Sequence, residues 1–273
     1  MRTRVMQVLI HSDQEKVAEH AYDFLRHIMK KRKRLVLGLA SGSTPLKLFR
    51  KMVAGFAGGE LDFSSVYTFN LDEYVGLKPD HPQSYHCFMR TNLFDHVNLN
   101  KDNVHFLSGV PEDIERRCED CEQQIREVGG IDLQILGIGR NGHIAFNEPT
   151  SSLASRTRMV ILTQRTIRDN ERFFPNKEDV PRRALTMGVG TILEARKLLL
   201  LATGPEKAQA VTAMIEGPVT AMCPASALQM HPSVTVLCDQ EAAQKLTHTE
   251  YYEHVTGTET AVTGNLPYEQ HQT

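Results

Sequence analysis

The runs LVLGLA at residues 35–40 and LLLLAT at 198–203 are unbroken apolar stretches. They lack the in-and-out alternation of a strand with one wet face, so they read as strands covered on both sides. A chain carrying several such strands must supply helices for both faces of its sheet. It does so: apolar, β-rich runs at 5–10, 35–40, 66–71, 104–107, 133–138, 198–202 and 234–238 alternate with helix-period segments at 14–29, 45–56, 84–94, 111–128, 206–215 and 240–246. That alternation predicts a three-layer α/β fold, a doubly wound, mainly parallel sheet with helices on both faces in a Rossmann-like arrangement. The 273 residues suit a single domain of this kind, numbered 1–273. Two stretches fall outside the alternation. Residues 163–183 are polar, rich in Arg, Asn and Asp, and broken by Pro175 and Pro181, so they read as an excursion from the sheet and a candidate lid. Residues 253–273 are polar and read as a flexible tail.

Composition removes several function classes. A formal net charge of -2 argues against a nucleic-acid-binding or anionic-membrane surface. The basic run Lys31, Arg32, Lys33 and Arg34 reads as a solvated loop before a strand. No apolar stretch approaches the roughly 18 residues of a membrane helix. The opening MRTRVMQVLI has no small-residue cleavage site and runs into a strand pattern, which argues against a signal peptide. Five cysteines are an odd number without framework spacing, so a reducing cytoplasm is expected. Cys118 and Cys121 form one CxxC inside a charged helical pattern, with no second pair and no HExxH, so no metal is expected.

Ligands of doubly wound sheets bind outside the carboxyl ends of the strands, so the residues just after each strand carry the functional reading. After 35–40 comes Ser41-Gly42-Ser43-Thr44, followed by Pro45 as an expected first helical residue. Hydroxyls, backbone N–H groups and a helix N-terminus together make an anion pocket, although the same residues also cap ordinary helices. No Walker loop is present. After 66–71 come Asp72 and Glu73. Paired acids at a buried strand end are costly unless paired or functional, and a desolvated carboxylate there gains the basicity to take a proton. After 133–138 come Gly139, Gly142 and His143, with Glu148 placed to orient the imidazole. After 198–202 comes Lys207 at a helix start, where a cation is unfavourable unless an anion joins it. Arg172, in the candidate lid, is a second anion partner. Four such features on one sheet edge suggest a phosphorylated small molecule held by Ser43, Thr44, Lys207 and Arg172, with Asp72 and His143 over its reactive end.

The motifs SGSTP, FNLDEYVGL, HPQSYHCFM, GIGRNGHIAFNEP, SRTR, RFF, ALTMGVGTIL and GPEKA follow one another in this order. Together they resemble the glucosamine-6-phosphate deaminase family from about residue 35 to residue 239. The resemblance implies an enzyme of aminosugar catabolism, a hydrolase that turns glucosamine 6-phosphate and water into fructose 6-phosphate and ammonia. It implies His143 as the ring-opening group with Glu148 as its partner, Asp72 as the base at C2, and Ser41, Gly42, Ser43, Thr44, Arg172 and Lys207 around the phosphate. Position 141 is often Asp in this family and belongs to the histidine's relay. Asn141 is expected to orient His143 with less hold on an imidazolium. Proton transfers and a protonated amine leaving group suffice for the chemistry, so no cofactor is expected. The resemblance also implies a homo-oligomer, a hexamer in the branch activated by N-acetylglucosamine 6-phosphate. Ser151, Ser152 and Arg158 match residues that meet that activator, but Val160 stands where a lysine is found, which removes a charge-assisted contact. Galactosamine-6-phosphate deaminase and 6-phosphogluconolactonase are the alternative enzymes. Lactone hydrolysis needs no proton shuttle between adjacent carbons, so Asp72 favours the deaminase. A non-catalytic sugar-phosphate sensor is the alternative of another class. A strand beginning near Val5 leaves no helix-turn-helix before the sheet, and both acid/base residues are present.

Overall fold

The computed structural model describes residues 6–254. In chain order its strands are β1 (Gln7–His11), β2 (Leu35–Leu39), β3 (Val66–Asn70), β4 (Asp72–Tyr74), β5 (Val104–His105), β6 (Leu133–Gly137), β7 (Arg158–Ile161), β8 (Arg183–Thr186), β9 (Leu198–Ala202) and β10 (Val234–Asp239). The α-helices before residue 249 are α1 (Gln14–Lys31), α2 (Leu46–Ala57), α3 (Tyr85–Asn92), α4 (Ile114–Glu127), α5 (Gln164–Glu171), α6 (Val189–Leu193), α7 (Ala208–Ile215) and α8 (Gln240–Ala243), and the described residues 249–254 are helical as well.

The large sheet runs β1-β10-β9-β6-β2-β3-β5, and its pairs are parallel. From β2 the chain builds outward through β3 to β5. It then crosses back to place β6 on the other flank of β2 and builds outward through β9 to β10. The direction reverses between β2 and β6, which opens a crevice at their carboxyl ends. Register fixes which side chains share a face. Leu198 lies opposite Gln134 on one side and Val234 on the other.

The pleat divides the unbroken apolar runs between two cores. Leu198, Leu200 and Ala202 join Val36, Leu136, Val234 and Val236 against α4, α7 and α8. Leu199 and Leu201 join Leu35, Leu37, Leu39 and Ile135 against α1, α2 and α3. Both faces are dry, as the absence of alternation in the sequence requires. Truncating one such leucine to alanine would cost about 2–5 kcal/mol. Polar ends are satisfied locally. Asp13 caps α1 by accepting the N–H groups of Glu15 and Lys16 at 2.8 and 2.9 Å.

A second sheet, with strand order β4-β8-β7, is antiparallel and was not expected from the sequence. Its strands have three or four residues, too few for a period-2 pattern, and DEY opens with two acids that strands disfavour. It covers a third small core of Tyr74, Phe146, Leu162, Ile167, Phe174, Val180 and Ala184. The chain leaves the large sheet at Leu71, whose N–H still donates to Leu39 and whose carbonyl accepts from Met187. Asp72 therefore sits where the two sheets meet.

Other expectations shift slightly. Pro45 is the residue before α2 rather than its first, β5 is two residues long, and α8 ends at Ala243. Arg32 is more than a solvated loop charge: it and Arg196 both pair with buried Asp132, which also accepts the Val36 N–H at 2.9 Å. Residues 163–183 do leave the large sheet. They form α5 and a short 3-10 turn at Lys177–Asp179 before entering β8. Of the tail at 253–273, residues 253 and 254 are exposed, and 255–273 lie outside the described residues. No described helix is long and apolar enough to cross a membrane.

Candidate active site

At the carboxyl ends of β2, β6 and β9, beside the start of β4, the protein opens a cavity of about 720 Å³. Ser41, Gly42, Ser43, Thr44, Asp72, His143, Arg172 and Lys207 all line it, so eight residues singled out in the sequence converge on one space. Asn141 and Glu148 are not in its wall and act on it through His143.

The loop after β2 turns at Gly42, whose φ of 95° lies in the left-handed region that glycine alone enters freely. No side chain caps α2. The Ser43 and Thr44 hydroxyls are therefore not spent on the helix end, which removes the bland explanation for them. Lys207 stands at the cap position of α7, on the 3-10 turn Pro205–Lys207. Burial lowers its ammonium pKa first; the carboxylates of Glu206 and Asp169 oppose this, and the charges of Arg140 and Arg172 reinforce it. Glu206 and Asp169 offset part of the positive charge of Lys207, Arg140 and Arg172 there, and a bound anion would be attracted to the same cations. Arg140 was passed over in the sequence because it sits inside a glycine motif read for its histidine. Its position directly after Gly139 was the available signal.

The two acids after β3 divide their work. Burial pushes the Asp72 carboxyl up to about 7, opposed by a hydrogen bond from Ser41 and reinforced by the charge of Glu73. The Ser41 hydroxyl donates to Asp72 Oδ1 at 3.2 Å. Glu73 is also raised by burial, but it accepts backbone N–H groups from Tyr85, His86 and Tyr74 at 3.0, 3.0 and 2.8 Å. It fastens the first turn of α3, whereas Asp72 faces the cavity. Tyr74 and Tyr85 complete the wall there, with Tyr85 donating to Tyr74 at 3.3 Å. Burial raises both phenols, so they stay neutral. In sequence they look like any core aromatic.

The loop after β6 is shaped around His143. A Cβ on Gly139 would lie 2.2 Å from the ring of His143, so glycine alone leaves room for the imidazole. Gly142 has φ 83°, and a Cβ there would meet Cys223 Sγ at 2.6 Å. His143 Nδ1 stands 3.5 Å from Glu148 Oε2, an ion-pair distance longer than a good hydrogen bond. Burial opposes ionisation of Glu148, but the His143 ring and the donors Thr166 and Asn141 outweigh it and hold its carboxyl down to about 2. Asn141 Nδ2 donates to Glu148 Oε2 at 2.7 Å, and its Oδ1 accepts the His143 N–H at 3.3 Å. Asn141 thus serves the histidine through Glu148 and the backbone. Thr163 and Thr166, from the start of α5, also donate to Glu148. They looked like ordinary helix-start residues in the sequence, and Thr163 is indeed the α5 cap.

Arg158 donates to Asn147 Oδ1 at 2.9 Å and Ser151 Oγ at 3.1 Å, so two of the three residues matched to an activator site are in contact. Ser152 is exposed, and its hydroxyl accepts the Ala154 N–H at 3.3 Å. Cys118 and Cys121 are buried free thiols in α4, pushed up to about 11 and about 12 by burial, which leaves them inert. Among the described residues no group of three or more His, Cys, Asp or Glu is placed to hold a metal ion.

Known proteins are similar to this chain in sequence and architecture. The model of glucosamine-6-phosphate isomerases/6-phosphogluconolactonase matches residues 11–237. The glucosamine-6-phosphate deaminase of Hahella chejuensis is 53% identical over 251 residues, covering 92% of this chain and 95% of that protein. That of Thermoanaerobacter pseudethanolicus is 50% identical over 238 residues, covering 87% and 94%. A solved monomeric glucosamine-6-phosphate deaminase matches with a TM-score of 0.86 and 41% identity, over 88% of this chain and 99% of that one. The 6-phosphogluconolactonase of Trypanosoma brucei matches with a TM-score of 0.70 at 19% identity, over 89% and 99%, a likeness of fold alone.

Proposed function

The chain belongs to the family of glucosamine-6-phosphate isomerases and 6-phosphogluconolactonases, and from that premise we propose that it converts glucosamine 6-phosphate and water to fructose 6-phosphate and ammonia. The observation that carries this reading is Asp72, a buried carboxyl raised to about 7 in the wall of a cavity that His143 also enters. A base poised near neutral pH is what proton abstraction next to a carbonyl requires. Lactone hydrolysis needs a base only for water and no proton shuttle between adjacent carbons, and the relatives at about half identity are deaminases.

The residues take the following roles. Ser43, Thr44, Arg172 and Lys207, with the backbone around Ser41 and Gly42, hold the phosphate at the cationic end. His143 accepts the proton of the C1 hydroxyl and returns one to the ring oxygen, which opens the pyranose to the aldehyde. Glu148 and Asn141 fix the imidazole for that exchange. Asp72 takes the C2 proton, the substrate's own ammonium at C2 gives a proton to the C1 oxygen so that C1=O becomes C1–OH, and an enolamine forms between C1 and C2. The same carboxyl gives a proton to C1, leaving a C2=N iminium. Water adds to C2, the nitrogen is protonated, and ammonia leaves to give the ketose. Residues 163–183 act as a lid that brings Arg172 to the ligand.

Neither activation nor assembly follows from the reaction. With Val160 in place of a cation and Arg158 engaged by Asn147 and Ser151, we propose that N-acetylglucosamine 6-phosphate does not activate the enzyme. The homo-oligomer suggested by the sequence finds support in Met159 and Ile161, both exposed on β7 at the edge of the small sheet. Light scattering that gave the 30.7 kDa of one chain would replace it with a monomer. Free thiols at Cys87, Cys118, Cys121, Cys223 and Cys238 support a reducing, cytoplasmic setting.

Ammonia release from glucosamine 6-phosphate, with fructose 6-phosphate measured in parallel, tests the reading. Stoichiometric formation of both, unchanged by N-acetylglucosamine 6-phosphate, is the expected result. Turnover of 6-phosphogluconolactone or galactosamine 6-phosphate in place of the glucosamine compound would overturn it.

A further inference from the structure

Glu148 is held from two directions. Its Oε1 accepts hydroxyl hydrogen bonds from Thr163, at 3.2 Å, and from Thr166. Its Oε2 accepts from Asn141 at 2.7 Å and faces His143 Nδ1 at 3.5 Å. One oxygen of a single carboxylate is thus fastened to the start of α5, and the other is turned to the imidazole. Thr166 is 4% exposed, so its hydroxyl is not there for solvent. A threonine in a helix commonly turns its hydroxyl to a carbonyl one turn back. Here it reaches across 18 positions of sequence to the partner of the ring-opening histidine.

We infer that Thr166 is a positioning residue for the reaction: by holding Oε1 of Glu148 it sets how firmly His143 retains its proton, and it ties that property to the placement of α5. The inference rests on the reading of His143 as the ring-opening group. A hydroxyl donated to a carboxylate stabilises its charge and weakens the pull left for a neighbouring cation. With α5 docked, the Glu148 carboxylate is held by three donors. Were α5 displaced, Oε1 would lose two hydroxyls and the carboxylate would pull harder on the ring. Substrate enclosure and the readiness of the base would then be one event.

Other charges set the background. Asp72 enters the same cavity from β4, Arg140 belongs to the loop of His143 itself, and Glu206 and Lys207 follow β9. Arg168, Asp169 and Arg172 come from α5 and its end. Replacing Thr166 leaves all of them in place, so a change in the titration of His143 reports the lost hydroxyl.

The test uses the full-length, substrate-free protein with Thr166→Val, which keeps the shape and removes the hydroxyl, and Thr166→Ser, which keeps the hydroxyl. The ring resonance of His143, identified by its loss in His143→Gln, is followed by NMR against pH. Thr166→Val is expected to move the midpoint upward by about half a unit, roughly a threefold gain in proton affinity, and Thr166→Ser to restore it. The acid limb of kcat/KM should move the same way. An unchanged midpoint in folded Thr166→Val would overturn the inference, as would equal shifts in both variants. If the valine variant does not fold, Thr163→Val and Thr166→Ala carry the same measurement. A midpoint that moves in a protein releasing no ammonia would sink the deaminase reading and leave the coupling standing.

Discussion

Asp72 should cost the protein stability at the pH where it works, and Asp72→Asn should return it. The carboxyl stands at about 7 in the folded protein against an ordinary 3.8. Between those values the folded state binds a proton that the unfolded state has released. Stability from this group is therefore full below the unfolded value and is lost as pH rises through the folded one. The whole shift is worth about 4 kcal/mol, at about 1.4 kcal/mol per unit. Between pH 5 and pH 8 the protein crosses most of that range, so about 3 kcal/mol of it should disappear. Asparagine cannot titrate, and its own packing cost is the same at both pH values. The stability of Asp72→Asn minus that of the unaltered protein should thus rise by about 3 kcal/mol from pH 5 to pH 8, read from urea unfolding midpoints with unchanged slopes. The same variant should lose exchange of the substrate's C2 proton while still binding the sugar phosphate. A difference constant to within about 0.5 kcal/mol would show a carboxyl titrating in the ordinary range, and the argument for a base poised by burial would fail.

Three further outcomes follow from the same geometry. Gly139→Ala places a Cβ 2.2 Å from the His143 ring, so kcat should fall about 100-fold in a folded protein; added to His143→Gln it should cost nothing more, and an additive loss would refute the shared cause. Arg172→Ala removes one cation at the phosphate end, so KM should rise about tenfold with kcat within about twofold, and unchanged steady-state constants would remove Arg172 from the site. Glu148, held down to about 2 from 4.5, contributes stability that is present above pH 4.5 and lost as the pH falls toward 2. Acid unfolding of Glu148→Gln should therefore be shallower over that interval than that of the unaltered protein, and superimposable curves would refute the assignment.

Much of this architecture is legible in the sequence because burial on both faces is written in every residue of a parallel strand. LLLLA needs no partner to identify it. The same holds for residues that follow a strand directly, since the sheet itself brings Ser41, Asp72, His143 and Lys207 to one edge. What the sequence hides are elements whose reason lies elsewhere in the chain. The strand Asp72–Tyr74 exists because Arg183–Thr186 pairs with it more than a hundred positions later, and three residues carry no period of their own. Glu73 looks as catalytic as Asp72 until the N–H groups of Tyr85 and His86 are seen to claim it.

Position 141 shows the same limit from the side of chemistry. Read alone, asparagine in place of aspartate subtracts a charge from the histidine's surroundings. In the fold its amide donates to Glu148 at 2.7 Å, where an aspartate would set a second carboxylate against the first. One negative charge with three donors around it is a different device from two acids sharing a proton. It fixes Glu148 as an ion, so the imidazole faces a partner whose charge does not vary across the working pH range. Two of the three donors to Glu148, Thr163 and Thr166, lie at the start of α5, a segment anchored to the rest of the protein by a small core of aromatic and aliphatic side chains. If Thr166 positions Glu148 as inferred above, the arrangement around the histidine depends on the segment over the cavity as well as on position 141.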